Sequence, residues 1–186
     1  MKKNIVAAIY RSEKTVFTLK ELSVLLEEEN FDNLKAAVNY YVKKKMIRNI
    51  RRGIYSKENY DPFELAVKVY PPAYIGFETV LFKEGLIFQY DETITVASYL
   101  SREIQVGEHN LRYKKLKGPI LTAPEGLISN AFFTIAEKER AFLDILYLNR
   151  DFYVDNIRKL DRRKIFRILP IYENLSLGKR VKELLK

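Results

Sequence analysis

TLKELSVLLEEENFDNLKAAVNYYVKKKMIRNIRRGIYS, residues 18–56, changes its hydrophobic period partway along, and that change decides the fold. Thr18 and Glu21 stand at capping-box spacing, where the hydroxyl and the carboxylate each satisfy a free amide at a helix start, and Leu19, Leu22, Leu25 and Leu26 supply the buried stripe behind them. After the acidic turn Glu27-Glu28-Glu29-Asn30, Asp32 is placed to cap a further helix running to about Lys45, with Leu34, Ala37, Val38, Tyr41 and Val42 facing inward. Steps of about 100° per residue then put Ala36, Asn39, Tyr40 and Lys43 on the opposite face. From Met46 the helical period stops. Two short β-rich runs flank Gly53, which can take the positive φ of a turn, so residues 46–56 read as a hairpin carrying Arg48, Arg51 and Arg52.

Upstream, residues 2–11 form an amphipathic helix through Ile5, Val6, Ile9 and Tyr10, and Thr15-Val16-Phe17 is extended. Three helices, a tight second turn and a basic hairpin, in that order, are the parts of a winged helix-turn-helix, whose third helix enters the major groove while the hairpin lies on neighbouring backbone. The charge distribution agrees. Residues 1–60 hold 13 basic and 7 acidic side chains, residues 61–154 hold 10 and 13, and residues 155–186 hold 10 and 4, within a total of +9. Both ends therefore attract a polyanion, since Lys and Arg that neutralise phosphates release condensed counterions.

The chain divides on this reading into a winged domain, 1–60, and a second domain, 61–186. Asp61-Pro62 opens a helix to about Val69, which Pro71-Pro72 stops. Tyr74-Ile75-Gly76 is extended, Phe77 to Glu84 helical, and Gly85 closes that helix. Alternation over 93–98, 103–106 and 111–116, with a turn at Gly107 to Asn110, predicts a small antiparallel sheet, to which Ile120-Leu121 and Phe132 to Ile135 can add strands. Ala136 to Leu148 is an amphipathic helix. Three shorter basic helices follow, with Asp155, Asp161 and Ser176 as caps. The fold class is α+β: a winged helix-turn-helix, then a mixed α/β domain with C-terminal helices.

Chemistry is sparse. Without cysteine there are no disulfides or thiolate ligands, and the one histidine, His109, lies in a hairpin turn, so zinc sites and Ser-His or Cys-His catalysis lack their parts. Seven scattered glycines form no phosphate-binding loop. In AEKERAFLD, 136–144, Glu139 and Asp144 could hold a metal for a nuclease, but Glu137, Arg140 and Asp144 are spaced to pair along a helix surface. No catalytic residue, metal or cofactor is assigned. The 13 tyrosines and 11 phenylalanines fall mostly at core positions, Tyr40 being the exception. No uncharged run reaches the roughly 20 residues of a membrane span, and the N-terminal apolar stretch is broken by Tyr10 and Arg11, so a cytoplasmic protein without a membrane partner is expected.

The ordered series RRGIYS (51–56), DPFELA (61–66), PPAYIGFETVLFKEGLI (71–87), ITVAS (94–98) and AEKERAFLDILYL (136–148) resembles the AbiEi-type antitoxins of type IV toxin-antitoxin systems over roughly residues 15–160. It departs from that family in Phe77, Glu78 and Lys83-Glu84-Gly85, where members often carry Ser or His and a His-Gly, and in its acidic turn at 27–29. The resemblance implies a repressor that binds inverted repeats in its own promoter as double-stranded DNA. It also implies an antitoxin that acts without a stable complex against a nucleotidyltransferase-like toxin. Lys35, Asn39, Tyr40, Lys43 and Lys44 would then face the groove, with Arg48, Arg51 and Arg52 on phosphates and Asn39 best suited to reading a base edge. A stand-alone regulator, a metal-dependent enzyme acting on nucleic acid, and an interaction module whose basic tail docks an acidic partner are the alternatives.

Overall fold

The computed structural model describes residues 5–89 and 91–185, and the chain divides into two compact units, Met1–Val69 and Tyr70–Lys186. The first unit begins with α1 (Ile5–Arg11), the described part of the helix expected over 2–11; residues 2–4 lie outside the described residues. Next come β1 (Val16–Thr18), α2 (Leu19–Leu26) and α3 (Phe31–Lys43), then the hairpin of β2 (Arg48–Arg51) and β3 (Ile54–Ser56), and finally α4 (Pro62–Val69). The capping box is formed: Glu21 N–H donates to Thr18 Oγ1 at 3.2 Å, and Thr18 N–H to Glu21 Oε2 at 2.9 Å. The cap of α3 is Asn30, not Asp32. Its side-chain oxygen accepts from the amides of Asp32 and Asn33 at 3.0 and 3.1 Å, so the helix starts one residue before the aspartate and carries Asp32 in its first turn. Lys45, at φ 58, leaves the helical region and ends α3 two residues early.

Sheet order is β1-β3-β2, all antiparallel, with a register shift between Asn49 and Arg51 and Gly53 at φ 78 in the turn. Ile9, Phe17, Leu22, Leu26, Leu34, Val38, Ile47 and Tyr55 form one buried core, so α3 and the hairpin are braced on the same apolar cluster. The boundary falls at 69 and not at 60 because α4 is tied to β1. Glu64, buried, accepts from Thr15 N–H at 2.8 Å and Thr15 Oγ1–H at 2.7 Å, and Lys68 reaches the Val16 carbonyl, Glu64 and Glu21.

The second unit is built on a mixed six-stranded sheet of order β6-β7-β5-β4-β9-β8, with strands β4 (Tyr74–Ile75), β5 (Ile94–Ser98), β6 (Arg102–Val106), β7 (His109–Lys115), β8 (Leu127–Ser129) and β9 (Thr134–Ala136). The expected small antiparallel sheet is therefore corrected. β6 and β7 do form an antiparallel hairpin, but β7 inserts beside β5 and runs parallel to it, and β4 pairs parallel with β9. Alternation along a strand marks its two faces and carries no information about its neighbour's direction. Helices α5 (Phe77–Lys83) and α7 (Lys138–Leu148) pack on each other, and α8 (Arg162–Ile168) packs on α7.

Ile120-Leu121 is not a strand. It lies in α6 (Gly118–Thr122), where Pro119 sits in the first turn, a place its fixed φ suits. His109 opens β7 opposite Val106 instead of sitting in the turn. α7 is not amphipathic either, since every residue from Glu139 to Ile145 and on to Leu146 is buried. Of the expected C-terminal caps, only Asp161 caps a helix, accepting from Arg163 N–H at 2.8 Å. Asn174 and not Ser176 caps α9 (Leu175–Leu184), and Asp155 instead accepts from the Phe88 amide at 2.9 Å. Among the described residues no helix is long and apolar enough to cross a membrane.

Candidate nucleic-acid interface

The helical period that buries Leu34 and Val38 in α3 turns Lys35, Ala36, Asn39, Tyr40, Lys43 and Lys44 to solvent. Tyr40 is 55% exposed, an unusual position for a large ring, held edge-on by Tyr41 at 5.2 Å between centroids and overlaid by the Lys44 ammonium at 5.8 Å. Lys44 thus lies beside Tyr40 on the flank of α3. Asn39 and Lys43 have no hydrogen-bond or ion-pair partner among the described residues, so their donors and acceptor are directed only at water. Lys35 stands somewhat apart, 3.6 Å from Asp32.

In the hairpin, Arg48 and Arg52 are exposed and Arg51 is half-buried. Arg48 pairs with Glu58 at 3.7 Å, a loose contact between two exposed groups and so a weak one. The end of α3 and the start of β2 meet in a cleft of about 450 Å³ whose walls include Lys45, Arg48 and Asn49, while Asn33, Ala36 and Tyr40 line a groove of about 570 Å³ on the other flank of α3. Lys45 and Asn49 were not among the expected contact residues. Asn49 is exposed, and the register of β2 against β3 shifts between it and Arg51, a feature that one strand's sequence does not reveal.

The carboxylates considered for metal binding have other partners. Asp144 is fully buried; Tyr74 and Tyr172 each donate a hydroxyl to it at 2.7 Å, and Arg140 Nε donates at 3.2 Å. Arg140 is itself buried, so its pairing with Asp144 lies in the core and not along a helix surface, while Glu137 pairs with Lys164 at 2.7 Å. Glu139 Oε1 accepts from Asp161 N–H at 2.9 Å. Burial pushes the Asp144 carboxyl up against the opposing pull of Arg140 and the hydroxyls, and burial followed by the Asp144 charge pushes both phenols well above their usual range. The two tyrosines therefore remain donors. Glu139 and Asp144 do not converge on a shared site, and no cluster of three or more metal-ligating side chains occurs among the described residues.

No protein-family model and no curated protein matches the chain. Among solved structures, the crystal structure of the RV2827C protein from Mycobacterium tuberculosis superposes with a TM-score of 0.54, covering 89% of this chain and 70% of that one at 10% identity. That likeness is one of fold.

Proposed function

We propose that this protein is a cytoplasmic, sequence-specific binder of double-stranded DNA: a repressor whose first unit acts as a winged helix-turn-helix and which serves as the antitoxin of a type IV pair. The carrying observation is the outer face of α3, where Asn39 and Lys43 have no protein partner while Leu34 and Val38, on the opposite face, are buried beneath them. An exposed helix braced against a short antiparallel sheet and bearing amide and ammonium groups suits the major groove. Asn can pair two edges of an adenine, and lysines and arginines can hold phosphates. Arg48, Arg51 and Arg52 on the adjoining hairpin add sequence-independent affinity. The ordered motif resemblance supports the antitoxin role, with inverted promoter repeats as the site and a nucleotidyltransferase-like toxin as the functional counterpart.

The test is a mobility shift of the chain on the DNA upstream of its own reading frame, across a salt series. Binding should weaken steeply with salt. Asn39→Ala should lose discrimination between that DNA and a scrambled duplex by about 1–3 kcal/mol, whereas Arg52→Ala should weaken both equally. Absence of a shift, or a salt-independent one, would overturn the proposal. A nucleotidyltransferase frame immediately downstream would support the antitoxin role, and its absence would leave a stand-alone regulator.

A further inference from the structure

The second unit holds two adjoining clefts, of about 630 and about 420 Å³, that share Glu78 and Gln89 in their walls. The larger is walled by Phe88, Phe152 and Tyr153, with Glu78 and Asp155 among them; the smaller adds Asp91 and Arg112. Three carboxylates thus line the walls; Arg112 is held by Asp91 and Glu103, Lys114 pairs with Glu78, and Asp155 has no ion-pair partner among the described residues.

One carboxylate oxygen is left open, Asp155 Oδ1, on an exposed side chain. Glu78 gives one oxygen to Lys114, and its Oε2 is closed off from solvent with no hydrogen-bond partner. Asp155 gives Oδ2 to the Phe88 amide. The rings are also open: Phe88 is 66% and Tyr153 76% exposed, and among the described residues no ring or cation stacks on Phe88, Phe152 or Tyr153. Exposed aromatic faces beside carboxylates, in a cleft large enough for a small molecule, attract a cation through both the ring quadrupole and the carboxylate charge. A polyanion would meet repulsion from the same groups.

We infer that the cleft between Glu78, Phe88, Tyr153 and Asp155 is a binding site for an organic cation with a guanidinium or alkylammonium head on an apolar stem. The head sits among the carboxylates and the stem against the rings. The source of that chemistry is either a free amine or the side chain of an Arg- or Lys-bearing segment. The site is independent of the DNA-binding proposal, and its measurement uses no DNA.

Isothermal titration of the full chain with agmatine and with acetyl-Gly-Arg-Gly-amide tests it, with glutarate as the anionic counterpart. Saturable binding with a dissociation constant below about 1 mM is expected for at least one cation, and none for glutarate. Binding of agmatine assigns a free amine; binding of the peptide alone assigns a partner's side chain. Tyr153→Ser removes one exposed ring, and Asp155→Asn removes a charge while keeping an acceptor for the Phe88 amide. Each should weaken binding about threefold or more at unchanged melting temperature, and Tyr99→Ser, outside the cleft, should not. No saturable binding of either cation to about 10 mM, equal binding of glutarate, or binding undiminished in both variants would overturn the inference.

Discussion

Arg140 has five N–H donors and all of them are placed. Nε meets Asp144, one terminal nitrogen reaches the carbonyls of Ala123 and Glu125, and the other reaches the Tyr74 hydroxyl and the Ile120 carbonyl. The guanidinium also lies over the rings of Tyr74 at 5.5 Å and Tyr172 at 5.8 Å. A buried charge with such partners costs little while they remain and a great deal when one is removed. Arg140→Ala should therefore destabilise the second unit by about 3–5 kcal/mol in urea unfolding, and the double change Arg140→Met with Asp144→Leu should cost less than Arg140→Ala alone. Glu21 supplies the acid-sensitive counterpart. Burial alone would raise its pKa, but Lys14, the Thr18 amide and Lys68 outweigh that and lower the carboxyl from 4.5 to about 2. With the folded value below the unfolded one, its contribution is complete above about pH 4.5 and is lost as pH falls toward about 2. Glu21→Gln should flatten the pH dependence of unfolding in that window.

Helix starts show what local chemistry can set. Thr18 and Glu21 form their capping box with contacts that span three residues, so Thr18→Ala should cost about 1 kcal/mol by thermal unfolding. Asn30 and Asp32 both suit the cap of α3, and in the folded chain it is Asn30 that accepts from the Asp32 and Asn33 amides. α4 is the element whose allegiance differs most from its sequence. A fragment ending at residue 60 loses the Glu64 and Lys68 contacts to Thr15, Val16 and Glu21, and leaves Thr15 without its carboxylate acceptor. Residues 1–69 should consequently unfold at distinctly higher urea concentration than residues 1–60, as followed by circular dichroism.

Across the whole molecule the decisive quantity is charge. Basic surplus is concentrated in residues 1–60 and 155–186, so on the proposed DNA the slope of log affinity against log salt counts the phosphates neutralised. Replacing Arg51 and Arg52 together by alanine should reduce that slope by roughly 2, at about 0.9 per phosphate contact. A slope unchanged by the double substitution would remove the hairpin from the proposed interface.

The hydrophobic pattern of residues 18–56 was enough to place two helices, the hairpin and the exposed side of α3, because each rests on contacts between near neighbours in the chain. The same locality made Tyr40 stand out. What the chain could not reveal alone was decided by groups far apart in sequence. The parallel pairing of β5 with β7 depends on β7 entering between β5 and β6. Burial of Arg140 and Asp144 depends on Tyr74 and Tyr172, 66 and 28 residues from their partners in the cluster. Backbone propensity acts over a turn of helix, whereas strand order and the pairing of buried charges depend on which distant segments share the core, and only the folded chain brings those together.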